Sequence, residues 1–234
     1  MKPFFTFYGG KWRAAPRYPS PSHSLIIEPF AGAAGYSTRH YQKDIMLFDV
    51  DPTITSVWAW LIAATKKDVL SLPDYVTSTE NLDVPHGAKN LIGFWLNKGS
   101  AAPSKTPSSW MRKGTHMTSF WGKEIKERIA NQVEQIKHWR IHNTSYENTP
   151  DIKATWFVDP PYYSAGKHYR YGSSKIDFTY LSNWCKNRKG QIIVCENSGA
   201  KWLPFVDFIS IKANESKTGG KKSLESIWYV NDNI

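Results

Sequence analysis

The chain has 234 residues, room for one sizeable domain with a small insertion and too few for two full domains. Against 20 Asp and Glu it sets 30 Lys and Arg, a formal charge of +10, and 11 Trp help raise the aromatic content to 15%; this pairing suits phosphates and bases, although charge alone does not require such a partner. Cys185 and Cys195 are the only cysteines and form no CxxC or Cys/His cluster, which excludes a disulfide framework and a structural zinc, and no uncharged apolar run is long enough to span a membrane, so a soluble, cytoplasmic protein with reduced thiols is expected.

The first strand is predicted over Leu25 to Glu28, followed by the small-residue turn Ala31-Gly32-Ala33-Ala34-Gly35 and a short helix through Thr38 to Gln42. A second strand, Ile45 to Phe48, ends in Asp49-Val50-Asp51-Pro52, and a helix runs from Ile54 to Thr65. This alternation implies parallel strands joined by right-handed crossovers, so the fold class is α/β. The next clear strand, Thr155 to Val158, is too far downstream for one crossover, and an insertion must intervene. Its middle, Asn97 to Thr118, is rich in Ser, Pro, Lys and Gly and reads as loop. Ile125, Ile129, Val133 and Ile136 then predict one amphipathic helix over Gly122 to Trp139. Ile141 to Tyr146 is a candidate short strand returning to the sheet. Beyond Val158 come an aromatic, polar loop to Ser174, a helix near Thr179 to Asn187 and a strand over Gln191 to Glu196. Two last strands, Phe205 to Lys212 and Ser226 to Val230, flank Gly219-Gly220 as an antiparallel hairpin with a basic tip.

The strand Thr155 to Val158 ends in Asp159-Pro160-Pro161-Tyr162. Two prolines cannot continue a central strand, because they lack the ladder N–H and hold φ fixed. A carboxylate, carbonyls and a ring are therefore held rigidly at the carboxyl end of a parallel strand, where open α/β sheets place their ligands. That set suits a flat base carrying an exocyclic amine: Asp159 and the Pro160 carbonyl accept its two hydrogens while Tyr162 stacks on the ring. A plain surface turn accounts for the same four residues equally well.

Glu28-Pro29-Phe30-Ala31-Gly32-Ala33-Ala34-Gly35 closes the first strand with a tight turn that lets backbone approach a ligand. It is neither GxGxxG nor GxxxxGK[ST], which disfavours a dinucleotide oxidoreductase and a P-loop NTPase. Asp49 ends the second strand, where such folds place an acid for ribose hydroxyls. Asp51 competes for that role or caps the helix opened by Pro52.

In order, Gly9-Gly10-Lys11, the EPFAGAAG turn, Asp49 and DPPY resemble the Dam-like DNA adenine N6-methyltransferases, in which a target-recognition insertion precedes DPPY. The resemblance covers most of the chain, includes the ending Glu225-Ser226-Ile227-Trp228-Tyr229-Val230-Asn231, and is nearest in length to small phage-encoded members. It implies a Rossmann-like S-adenosylmethionine-dependent methyltransferase sheet with a small helical insertion, divided into a first catalytic part (1–84), a target-recognition insertion (85–143) and a second catalytic part (144–234). It further implies that Gly9, Gly10 and Lys11 hold the methionine part of S-adenosylmethionine, that Glu28, Pro29, Phe30, Ala31 and Gly32 line it, and that Asp49 binds its ribose. Asp159, Pro160, Pro161 and Tyr162 would hold the target adenine, with Asp159 also beside the cofactor. Where the family commonly shows Asp followed by an aromatic residue near the cofactor's adenine, this chain has Ser145-Tyr146-Glu147, which leaves Ser145 or Glu147 for that contact.

The implied partner is double-stranded DNA with the target base flipped out, in a bacterial or phage-infected cytoplasm, with no metal and no membrane. Arg112 and Lys113 in the insertion, Lys167 and Arg170 in the loop beyond DPPY, and Lys221 in the hairpin tip are the candidate DNA contacts. Other readings of the motif are methylation of an exocyclic amine in RNA, methylation of cytosine N4 in DNA, and a catalytically silent nucleic-acid-binding module of the same fold.

Overall fold

Residues 1–113, 120–212 and 222–233 are described by a computed structural model. The period-2 rule governs its centre. In strand β1 (Leu25–Glu28), Ile26 points to one side of the sheet and Ile27 to the other; in β2 (Asp44–Asp49), Ile45 and Leu47 oppose Met46 and Phe48. β4 (Ala154–Val158) and β5 (Gly190–Asn197) continue the pattern, with Phe157, Ile193 and Cys195 opposite Trp156, Val158, Ile192 and Val194. Both faces of these strands are thus buried, which is why they read as continuous apolar runs.

Among the described residues the sheet has seven strands in the order β3-β2-β1-β4-β5-β7-β6, where β3 is Arg140–Asn143. β1 to β5 run parallel to one another, and β7 (Lys222–Asn233) is antiparallel to both β5 and β6 (Val206–Lys212). This strand order with an antiparallel β7 is that of the Rossmann-like methyltransferase fold. The chain reverses direction of winding between β1 and β4, so the carboxyl ends of those two strands open onto a crevice.

One face of the sheet is covered by α1 (Gly35–Arg39), α2 (Pro52–Ala63), α3 (Lys66–Leu70), α4 (His86–Leu96), α5 (Ser109–Arg112) and α6 (Lys123–Ala130) together with the N-terminal Phe4 and Phe5. The other face carries α7 (Phe178–Lys186). Trp58 and Trp156, both fully buried, anchor the two layers, and truncating either to Ala would cost about 3–5 kcal/mol.

The helices of the inserted segment do not build a core of their own. Trp95, Leu96, Trp121, Ile129, Val133 and Trp139 join the same cluster as Ile26 and Leu47, α4 packs on α2, and α6 packs on α3. β3 (Arg140–Asn143) then returns to the sheet edge beside β2, starting one residue earlier and ending three residues earlier than the expected Ile141 to Tyr146.

Two predicted helices are corrected. The single helix over Gly122 to Trp139 stops at Ala130 and resumes as a 3-10 turn over Val133–Ile136. At the break, the Gln132 side chain accepts from Lys2 N and donates to Lys2 O, so pairing with the N-terminal segment overrides the helical pattern. The first helix begins at Gly35 rather than near Thr38 and ends at Arg39, because Ala34 adopts a left-handed conformation (φ 45°) and its carbonyl starts the helix by accepting from Thr38 N. The stretch read as loop from Asn97 holds α5, capped by Ser108.

Candidate active site

A cavity of about 200 Å³ opens at the carboxyl ends of β1, β2 and β4. Its floor is the turn after β1. Gly32, at φ 45°, donates its N–H to Asp49 Oδ2 at 3.0 Å, and Asp49 Oδ1 accepts from Asp51 N at 2.9 Å. Burial pushes the Asp49 carboxyl up to about 6 against these hydrogen bonds. Asp51 both faces the cavity and caps α2, accepting from Thr53 N at 2.9 Å. Both Asp49 and Asp51 therefore line the cavity.

The N-terminal segment closes one wall. Lys11 opens a 3-10 turn after Gly10, and Arg39 fastens that turn by stacking on Trp12, 3.5 Å from its ring centroid, and donating to the Trp12 carbonyl at 3.0 Å. The turn brings the buried Lys11 Nζ to 3.0 Å from Asp159 Oδ1, 3.7 Å from Glu225 Oε1 and 2.8 Å from the Gly9 carbonyl. Burial alone would lower the Lys11 pKa; Asp159 first, then Tyr162 and Glu225, reverse this and hold the ammonium well above the ordinary lysine range. Burial likewise raises Asp159 to about 6, with Lys11 opposing and Glu225 adding to the rise. Asp159 keeps one-fifth of its side chain (20%) exposed toward the cavity.

The opposite wall is aromatic. Phe30 stacks on Tyr146 with centroids 5.2 Å apart and planes 30° apart, and both rings line the cavity. Ser145 lines it as well, while Glu147 is exposed and does not, so of the two candidates only Ser145 is at the cavity. Over the top, the Tyr169 hydroxyl donates to the Tyr8 carbonyl at 3.1 Å and its ring lies against Phe7 and Tyr8. Gly9 (φ 72°) is required there, since a Cβ would stand 2.6 Å from the Tyr169 hydroxyl.

Gly9, Gly10, Lys11, Glu28, Phe30, Ala31, Gly32, Asp49, Asp159 and Pro161 all line the cavity. Pro29 and Pro160 are buried behind it. Tyr162 is not on its surface: the ring lies beneath Lys11, whose Nζ is 4.8 Å from the centroid, and the buried hydroxyl has no hydrogen-bond partner among the described residues. The loop beyond is held by Glu196, which accepts from Tyr163 N at 3.0 Å and Trp202 Nε1 at 2.9 Å.

Of the candidate nucleic-acid contacts, Arg170 reaches the cavity rim, 3.9 Å from Asp51. Lys167 is exposed on the same loop without lining the cavity. Arg112 and Lys113 are exposed at the end of α5, away from the cavity, with Arg112 donating to the Pro107 carbonyl at 2.7 Å. Lys221 lies outside the described residues. The residues missed in the sequence are Phe7, Tyr8 and the partner acid Glu225. The sequence sign for the last was its place at the opening of a stretch already matched to the final strand.

No family model matches the chain, and no curated protein matches it significantly. Among solved structures it is similar to a conserved hypothetical protein from Streptococcus pyogenes, at 10% identity and a TM-score of 0.40 over 93% of this chain and 89% of that one. It is also similar to an S-adenosylmethionine-dependent methyltransferase from Neisseria gonorrhoeae, at 12% identity and a TM-score of 0.37 over 94% of this chain and 67% of the other. Among the described residues, no group of three or more His, Cys, Asp or Glu could hold a metal ion, and no helix is long and apolar enough to cross a membrane.

Proposed function

We propose that this protein transfers a methyl group from S-adenosylmethionine to the N6 amine of an adenine flipped out of double-stranded DNA. The observation that carries the reading is the Asp159 carboxylate, exposed only toward a cavity whose floor is the glycine turn and the Asp49 and Asp51 acids.

The residues present fit the cofactor. Asp49 and Asp51 offer acceptors for ribose hydroxyls, the Phe30 and Tyr146 rings offer a flat apolar wall for its adenine with Ser145 at the edge, and the narrow turn at Gly32 leaves backbone close to the ligand. Gly9, Gly10 and Lys11 form the wall for its amino-acid end. When bound, the cofactor supplies an electrophilic methyl group on a positively charged sulfur.

The chain's own contribution is to the amine. An exocyclic amine is a poor nucleophile because its lone pair is delocalised into the ring. Asp159, which lines the cavity, accepts from the amine N–H in the pyramidal arrangement, where positive charge grows on nitrogen, so it binds the transition state better than the ground state. Cys185 and Cys195 are buried, and burial raises both thiols, which suits neither to a covalent intermediate. Flipping the base out of the duplex costs a few kcal/mol, and Tyr162, whose ring lies beneath Lys11, can stack on the base only once Lys11 has moved. Arg170 and Lys167 beside the cavity, and Arg112 and Lys113 on α5, are the cations for the phosphate backbone.

The test is incubation of the protein with S-adenosylmethionine carrying a labelled methyl group, in parallel with unmethylated DNA and with RNA. Label in DNA is expected; label confined to RNA, or to neither, overturns the reading.

A further inference from the structure

Glu225 opens the final sequence stretch, and the proposed chemistry leaves it without a role. It sits in β7 opposite Asn197 of β5, its side chain is 8% exposed, and both carboxylate oxygens are engaged. Oε2 accepts from the buried Tyr18 hydroxyl, and Oε1 faces Lys11 Nζ at 3.7 Å.

The place of the ammonium is the point of interest. Lys11 Nζ stands 3.0 Å from Asp159 Oδ1 and 4.8 Å from the Tyr162 ring centroid. On the methyl-transfer reading, those are the carboxylate that takes the substrate amine and the ring face that takes the base. The ammonium therefore already holds one oxygen of the carboxylate that the amine must reach, and competes with the amine for it. It cannot simply be abandoned inside the protein, because an unpaired buried cation is expensive. A movement of about 1 Å toward Glu225 would bring it to charge-assisted hydrogen-bond distance there.

We propose that Glu225 is a positioning residue: it takes over the Lys11 ammonium when the substrate amine takes Asp159. Tyr18 holds one oxygen of Glu225 so that the other stays aimed at Lys11. This inference rests on the methyl-transfer reading and names the partner that lets the site change from its closed to its substrate-bound arrangement.

The test is steady-state transfer of labelled methyl to unmethylated DNA. Glu225→Gln is expected to lower kcat/KM for DNA about tenfold or more, while affinity for S-adenosylmethionine by calorimetry stays within about threefold. Glu225→Asp recovers part of the loss, and Tyr18→Phe gives a smaller loss in the same direction. Because Glu225 acts through Lys11, Lys11→Met combined with Glu225→Gln loses no more than Lys11→Met alone. Wild-type kcat/KM in Glu225→Gln, or losses that multiply in full in the double variant, overturns the proposal alone. If Glu225→Gln does not fold, Tyr18→Phe decides, and an unchanged kcat/KM overturns it. A wild-type protein that labels no DNA overturns the underlying reading and this inference with it.

Discussion

The backbone of Trp12 crosses Gly35 with no room for a methyl group between them: a Cβ on Gly35 would lie 2.4 Å from Trp12 N and 2.9 Å from the Lys11 carbonyl carbon. The glycine at the start of α1 therefore serves the segment lying over it, and through that segment the position of Lys11. Gly35→Ala is expected to destabilise the protein by about 2–3 kcal/mol in urea unfolding and to abolish methyl transfer. Gly99→Ala is the control. Gly99 has φ 74° and no atom within 4 Å of a built Cβ, so its replacement costs only the left-handed strain, about 1 kcal/mol, with transfer intact. Equal effects of the two would show that the crossing at Gly35 is unimportant.

Asp49 ties the turn to the cofactor wall, since its two oxygens already accept from Gly32 and Asp51. Asp49→Ala is expected to weaken S-adenosylmethionine binding by about tenfold or more, from lost acceptors and a loosened turn. At saturating cofactor the variant retains most of its transfer rate. Calorimetry showing unchanged affinity would move the ribose contact to Asp51.

Asp159 must be ionised to accept the amine hydrogens, and burial holds its carboxyl at about 6, above the usual aspartate range. Its acceptor form is thus lost as pH falls through about 6, and kcat/KM for DNA should fall along an acid limb there, since that ratio reports groups of the free enzyme. Asp49 also titrates near 6, so the profile is repeated with Asp49→Asn. A limb that survives in that variant belongs to Asp159; a profile flat down to pH 5 contradicts its role.

Glu28 accepts from Ser37 N at 2.7 Å, and burial pushes its carboxyl from 4.5 up to about 8. The folded chain holds this proton up to about pH 8 whereas the unfolded chain releases it near 4.5, so ionisation favours unfolding progressively across that window. Gln does not titrate. Relative to wild type, Glu28→Gln should gain stability between pH 5 and 8 in ligand-free protein, approaching about 1 kcal/mol per pH unit. Urea midpoints that run parallel across this range would show that Glu28 does not titrate there.

The strands and the order of the site motifs are legible in the sequence because period-2 burial and strand-end Gly and Pro leave local marks. Asp49 and Asp159 stand out as acids beside such turns. α4 leaves no comparable mark: His86–Leu96 is buried over most of its circumference, so it lacks an amphipathic stripe, and Gly93 sits in its middle where Pro103 and Ser104 press against it. The break at Asn131 depends on Lys2, more than a hundred residues away, and no local pattern encodes it. Tyr146, Tyr169 and Tyr162 are three of 12 tyrosines, and only the fold decides which ring lines the cavity and which lies under Lys11.

The most direct measurement is nucleoside mass spectrometry of unmethylated DNA after incubation with S-adenosylmethionine and either wild-type protein or Asp159→Ala. The account predicts N6-methyladenine from the wild type and none from the variant, whose cofactor affinity stays within a few-fold because Lys11 keeps Glu225 as a partner. N4-methylcytosine in place of N6-methyladenine, or an Asp159→Ala protein that retains most of the wild-type yield, would contradict it.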